Sequence, residues 1–219
     1  GWRYRDARGR VIRDAAEIRR LNAIALPPAY EDAWFCPAPN GHILATGYDA
    51  RGRKQYRYHP EFRLAQDADK YDRCIAFGHA LPLLRARLED DLARRTLCRE
   101  RIVGAVVRLL DLAALRVGNE EYAAANNSFG ATTLRQRHAR LSGRTLRLSY
   151  RAKGGAKREV TISDRNLATL VRRLQDLPGQ HLFQYEDEGA LCAVGSSDVN
   201  AYIREAMGED FSAKHFRTW

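Results

Sequence analysis

The sequence predicts an α+β protein. A small N-terminal β-rich domain, residues 1–70, precedes a mainly α-helical domain, residues 71–219, that contains a β-hairpin. Three observations carry this reading. Up to about residue 70 the apolar residues come in short runs broken by Pro, Gly and Asp, the pattern of strands and tight turns. From Tyr71 the spacing becomes helical. It is clearest over Arg99 to Leu115, where Ile102, Val103, Val106, Leu109, Leu110 and Ala113 share one stripe. Near Thr145 the period drops to two, with Leu146, Leu148 and Tyr150 alternating with Arg147, Ser149 and Arg151.

Element by element, Asp6-Ala7-Arg8-Gly9 is a turn signal and Asp14 to Leu21 a short helix closed by Pro27-Pro28. Trp34 to Cys36 and His42 to Thr46 follow as strands around the Pro37 to Gly41 turn. A further turn at Asp49 to Gly52 leads into a strand over Lys54 to His59, ended by Pro60. Asp67 to Lys70 is polar and is expected to be a linker. This module has no long apolar core of its own. In the second domain, Tyr71 to Leu81 and Leu83 to Leu92 are predicted as two helices. Strands over Thr145 to Tyr150 and Arg158 to Ile162 flank the loop Arg151 to Lys157. Ser163 is expected to cap a helix carrying Leu167, Leu170, Val171 and Leu174, and Asp198 to Met207 is a further helix ended by Gly208. Ser212 has the position of an N-cap, so the residues after it are expected to begin a helix that the end of the sequence interrupts. With Gly1 in place of an initiator Met, the expectation is a natural protein longer than these residues.

With 45% hydrophobic and 29% charged residues the chain is globular rather than disordered. It holds no apolar run of the roughly 18 residues needed to cross a bilayer. Cys36, Cys74, Cys98 and Cys192 form no CxxC pair and no zinc spacing with His, which fits a reducing, cytoplasmic setting and predicts no metal site. The formal charge of +10 favours a polyanionic partner. Nine basic residues and no acidic one lie between Arg135 and Arg158. This stretch suits a phosphate-backbone groove, with an ordinary solvated strand face as the alternative. A second basic patch spans Arg51 to His59. There Lys54, Tyr56 and Tyr58 share one side of the strand, and Gln55, Arg57 and His59 the other. Arginine and lysine hold phosphates there, Gln55 suits a base edge, and the tyrosines serve either DNA or a core pair.

Nucleotide loops and HExxH are absent. Glu120-Glu121 suits an acid/base or metal element, or more commonly the favourable charge of a helix start, and His138 is as well explained by structure as by chemistry. Any catalysis must therefore use cations on a phosphodiester. Arginine forks match the oxygens of a phosphorane, and a lysine can protonate a departing alkoxide. Arg116 at the end of a core helix, Lys153 at a hairpin tip and Arg217 are the candidates.

Those residues lie in longer strings: Asp49-Ala50-Arg51-Gly52-Arg53-Lys54-Gln55-Tyr56-Arg57-Tyr58-His59-Pro60, Arg116-Val117-Gly118-Asn119-Glu120-Glu121-Tyr122, Thr132-Thr133-Leu134-Arg135, Ser197-Asp198-Val199-Asn200 and Ala213-Lys214-His215-Phe216-Arg217-Thr218-Trp219. In this order they resemble the type IB DNA topoisomerases, specifically the short bacterial branch related to the poxvirus enzymes. The resemblance implies a DNA-clamping N-terminal domain and a catalytic domain of the tyrosine recombinase and topoisomerase type. It implies a monomer acting as a C-shaped clamp on duplex DNA at the nucleoid, relaxation through a 3′-phosphotyrosyl link, and no need of ATP or a metal. Under it, Arg116 and Arg217 stabilise the phosphorane and Lys153 is the general acid. Arg51, Arg53, Lys54, Gln55, Tyr56, Arg57, Tyr58, Asn119, Tyr122, Thr133, Arg135, Arg137, Lys157 and Lys214 are the DNA-binding set. Ala152 and His215 stand where relatives often have Gly and Asp. None of the ten tyrosines has the nucleophile's context, so the resemblance places that tyrosine, and a further oxygen-contacting residue, beyond Trp219 and leaves these residues inactive alone. A tyrosine site-specific recombinase and a non-catalytic duplex-binding protein are the alternatives. The string from Arg51 to Pro60 speaks against the recombinase.

Overall fold

The computed structural model describes residues 2–219 and, within them, every side chain except those at positions 68 and 69. The chain divides into two compact units, Gly1–Asp72 and Arg73–Trp219.

In the first unit, Asp6 organises the opening turn by accepting the backbone N–H groups of Arg8 and Arg10, each at 2.9 Å. Asp14 caps helix α1 (Ala15–Ala23), its carboxylate accepting from the Ala16 N–H. Strands β1 (Glu31–Phe35), β2 (Ile43–Tyr48) and β3 (Lys54–Tyr58) form an antiparallel meander in that order. Its core is thin. Tyr4, Leu21, Leu26 and Ala45 are its buried apolar residues among those described.

Helix α2 spans Pro60–Ala93 without a break, which corrects two expectations. Asp67 to Lys70 is helical rather than a linker, and Pro82 lies inside one helix instead of separating two. A proline within a helix forfeits a hydrogen bond and costs about 3 kcal/mol. Here Phe77, Leu81, Leu84 and Leu88 continue one stripe across it, each at most 2% exposed, and their burial outweighs that cost.

Helix α3 (Arg99–Ala113) is the central element of the second unit, with Ile102, Val106, Leu109 and Leu110 wholly buried. Helix α4 (Glu120–Asn126) follows, with two glutamates in its first turn where the helix dipole favours them. Strands β4 (Ala139–Ser142), β5 (Thr145–Arg151) and β6 (Lys157–Ser163) form an antiparallel sheet in that order. Helix α5 (Arg165–Gln175) covers the face of that sheet carrying Leu146, Leu148 and Ile162. Asp164, not Ser163, caps α5: its carboxylate accepts the Leu167 N–H at 2.9 Å. Strands β7 (Gln184–Asp187) and β8 (Ala190–Ala193) make a hairpin, and helix α6 (Ser196–Met207) packs against α3. Strand β4 and the β7–β8 hairpin have only four residues per strand, too short for periodicity to reveal. The residues after Ser212 form a single 3-10 turn, His215–Arg217, rather than the start of an α-helix. The Ser212 N–H donates to His215 Nδ1, so the histidine ring closes the turn that Ser212 was expected to cap. No described helix is long and apolar enough to cross a membrane.

Candidate active site

Arg116 is placed by backbone contacts rather than by a helix. The chain leaves α3 through Ala114 in a left-handed conformation (φ 47°) and buries Leu115 completely, and the Arg116 that follows is exposed. The segment behind it is pinned by residues 130–132. The Ala131 N–H donates to Arg116 O at 2.8 Å, and the Thr132 N–H and hydroxyl donate to Val117 O at 2.7 and 2.9 Å. Gly118 adopts φ +102°, a region that favours glycine, and a Cβ on Gly130 would stand 2.6 Å from both Cα and N of Gly118. Two glycine backbones therefore touch, and no side chain fits between them.

Lys153 sits where the chain turns between β5 and β6, in a loop closed by Ala152 N–H to Ala156 O at 2.8 Å. The loop is tied to the Arg116 region because the Phe129 N–H donates to Arg151 O at 2.7 Å. Arg217 comes from the final turn. That turn is held by the Ala213 N–H donating to Asn200 Oδ1 of α6 at 3.0 Å and by Phe216 packing edge-on to Phe77 of α2 at 5.0 Å.

These three elements converge on one open cavity of about 260 Å³, lined among others by Arg116, Asn119, Tyr122, Lys153, Lys214 and Arg217. Lys153 Nζ lies 5.9 Å from the Tyr122 ring centroid, in cation–π range. No carboxylate lines the cavity among the described residues. Burial, and then repulsion from Arg116 and Arg158, lowers the pKa of Arg217. Cations crowded together without counter-charge are a site for an anion with oxygens on several sides. A larger hollow of about 660 Å³ lies in the first unit against Trp2, Tyr4 and Phe35. Size does not select it, because its carboxylates Asp6 and Glu17 are already paired with Arg10 and Arg20.

The remaining sequence candidates fall in different places. Asn119 caps α4, its Oδ1 accepting the Tyr122 N–H at 2.7 Å, and so aims Tyr122 at the cavity. Thr133, expected on the DNA surface, is 2% exposed; its hydroxyl accepts the Gly130 N–H and braces the glycine contact. Arg135 is turned into a network with Glu120 and His181 instead of facing outward. His138 accepts the Arg135 N–H; burial, then Arg137 and Arg135, push its pKa down to about 4, so it is a neutral structural ring. Arg137 is exposed over the Phe129 ring, and Lys157 is exposed but paired with Glu159. In the first unit Asp49 gathers the basic strand. It accepts the backbone N–H groups of Arg51 and Arg53, the Arg53 guanidinium, and the Gln55 amide at 2.9 Å. The Gln55 NH₂ expected to read a base edge is thus engaged within the chain. Tyr56 and Tyr58 stack with centroids 6.0 Å apart and are exposed, not a core pair, with Lys54 Nζ 5.9 Å from the Tyr56 ring. The Arg57 guanidinium donates to Ala25 O. Arg158, counted in the basic stretch expected to face phosphates, instead donates its guanidinium to Ala113 O at 2.9 Å, beside Arg116 and Arg217. Its inward position on β6 is the signal that marks it.

A cation-lined cavity without carboxylates among the described residues, on a helical unit with a lysine at a hairpin tip, defines a protein with a site suited to an oxyanion. The chain belongs to the type IB DNA topoisomerase family. The family described as "Eukaryotic DNA topoisomerase I, catalytic core" matches residues 59–219, and that described as "Bacterial DNA topoisomerase IB, N-terminal domain" matches residues 1–49. The DNA topoisomerase 1B of Acanthamoeba polyphaga mimivirus is 32% identical over 208 residues, covering 93% of this chain and 62% of that protein. The chain therefore spans less than two thirds of that relative's length. Among solved structures, the XerH site-specific recombinase bound to difH in a pre-cleavage complex superposes with a TM-score of 0.42 at 15% identity, over 63% of this chain and 39% of that one. The post-cleavage complex on palindromic difH gives 0.40 at 17%, over 62% and 38%.

Proposed function

We propose that the protein relaxes supercoiled duplex DNA, without ATP, by transient cleavage of one strand through a 3′-phosphotyrosyl intermediate, strand rotation and rejoining. The reading includes a monomer closing on the duplex as a clamp, in the cytoplasm on nucleoid DNA. The observation that carries it is the convergence of Arg116, Lys153 and Arg217 on one carboxylate-free cavity. In the forward step a tyrosine hydroxyl gives up its proton to solvent, its oxygen forms a bond to phosphorus, and the bond from phosphorus to the 5′-oxygen breaks. Arg116 and Arg217 hold the non-bridging oxygens as charge builds on them, and Lys153 delivers a proton to the leaving 5′-oxygen. Rejoining is the same path reversed, and one phosphoester bond is exchanged for another, so no external energy source is consumed. Tyr122, on the cavity wall beside Lys153, has a supporting role.

The test uses the whole protein. Lys153→Ala slows cleavage by at least about a hundredfold, the usual contribution of a general acid, and a substrate with sulfur in place of the bridging 5′-oxygen restores it, because a thiolate leaves without a proton. Failure of that rescue removes the general-acid role. Tyr122→Phe retains cleavage; complete loss would make Tyr122 the nucleophile.

A further inference from the structure

We infer that the exposed face of the β4–β5–β6 sheet is an extension of the DNA surface that tracks the phosphates of one arm of the duplex away from the cavity. This rests on reading the cavity as a DNA-cleaving centre. The sheet buries one face under α5 and turns Arg140, Arg147, Ser149, Arg151, Lys157 and Thr161 outward. In register, Arg140 stands directly opposite Arg147, and Arg151 opposite Lys157. Like charges facing each other across strands destabilise a sheet unless something neutralises them. Glu159, the one outward carboxylate on these strands, is taken by Lys157, and no carboxylate among the described residues pairs with Arg140 or Arg147.

The face is also shaped and continuous with the reaction centre. A hollow of about 610 Å³ is lined by Arg137, Arg140, Arg147 and Lys157 among others. Phe129 lines the cavity, and the Arg137 guanidinium lies 5.9 Å from its ring centroid, so one side chain joins the two surfaces. Arg147 precedes Lys153 by six positions, about 20 Å at roughly 3.4 Å per residue. That is the rise of about six base pairs at roughly 3.4 Å each. Arg135 and Arg158, in the same basic stretch, take no part because their guanidinium groups are bonded internally.

The test measures affinity of the chain for a ladder of blunt duplexes from about 10 to about 30 base pairs at several salt concentrations. The double variant Arg140→Gln, Arg147→Gln is compared with Arg165→Gln, Arg172→Gln, which removes equal charge from α5. The expected result is a salt slope smaller by about 2 and affinity about tenfold weaker on long duplexes, with the length needed for full affinity shortened by about six base pairs, in the sheet variant alone. Its thermal midpoint without DNA stays level or rises, since a repulsive pair has been removed. Equal losses in both double variants, or an unchanged length requirement, overturn the inference while leaving the cleavage reading intact. Absence of binding by the folded parent chain overturns both.

Discussion

The two cationic regions of this chain are organised by opposite means. In the first unit a single carboxylate, Asp49, gathers residues two to six positions away and holds Arg53 and Gln55 by their side chains. In the second unit the cavity takes Arg116, Lys153 and Arg217 from three distant stretches and includes no carboxylate among the described residues. The first arrangement needs only near neighbours and a thin core. The second concentrates uncompensated charge, and a large core holds it in place: Phe77, Leu109, Leu110 and Leu115 are all wholly buried behind it. A basic strand can therefore be organised by a turn, whereas a basic cavity has to be held open by packing.

Substitutions can break that contrast. Gly130→Ala forces a methyl group into the Gly118 backbone and is expected to destabilise the second unit by about 3 kcal/mol. It should also abolish cleavage by moving Arg116, while the first unit's spectral signature is unchanged. Urea unfolding and a cleavage assay check it, and a wild-type midpoint with full cleavage would mean that the glycine contact does not place Arg116.

Acid should separate the two regions next. His138 has its pKa lowered to about 4 from 6.5. Between those values the unfolded chain binds more protons, so stability falls as pH drops from about 6.5 towards 4. The expected loss is about 2 to 3 kcal/mol, at 1.36 per unit. His181 and His215 are shifted in the same direction, chiefly by burial. Asp49 behaves oppositely. The Arg53 guanidinium and backbone N–H, with Arg51 and Gln55, hold its pKa well below 3.8, so the turn it organises persists until the pH falls below its ordinary range. Thermal unfolding and amide exchange at pH 7, 5 and 4 should show the second unit loosening first. Simultaneous loosening would refute the contrast.

Two smaller effects sharpen it. Asp49→Ala removes the one acid amid the first basic patch and frees Arg53 and Gln55. Affinity for generic duplex is expected to rise about threefold with a steeper salt slope, without loss of the second unit's stability. Ala114→Gly relieves a left-handed conformation costing about 1 kcal/mol and should raise the thermal midpoint slightly. Calorimetry checks the direction, and a lower midpoint would mean that the freedom gained by the unfolded chain dominates.

The periodic elements were legible in advance: the α3 stripe, the β5–β6 alternation and the turns at Asp6 and Asp49 depend on residues close in sequence. Strings resembling a known family singled out Arg116, Lys153 and Arg217 as candidates, and the three line one cavity. What misled were positions where burial overrides local preference. Pro82 stays helical because its neighbours are core, Thr133 is interior because two glycine backbones meet beside it, and the Gln55 amide is taken by Asp49 rather than left for a partner. Strand β4 and the β7–β8 hairpin were too short to announce themselves.

The sequence by itself determined the fold class and the excess of positive charge, because these follow from composition, period and residue type. Only the tertiary structure decided which cations are available. Arg135 and Arg158 carry the same charge as Arg137 and Arg147, yet the first pair is bonded internally and the second is exposed. That difference lies in which groups the fold brings within hydrogen-bonding distance, and distance in space is what a linear sequence does not encode locally.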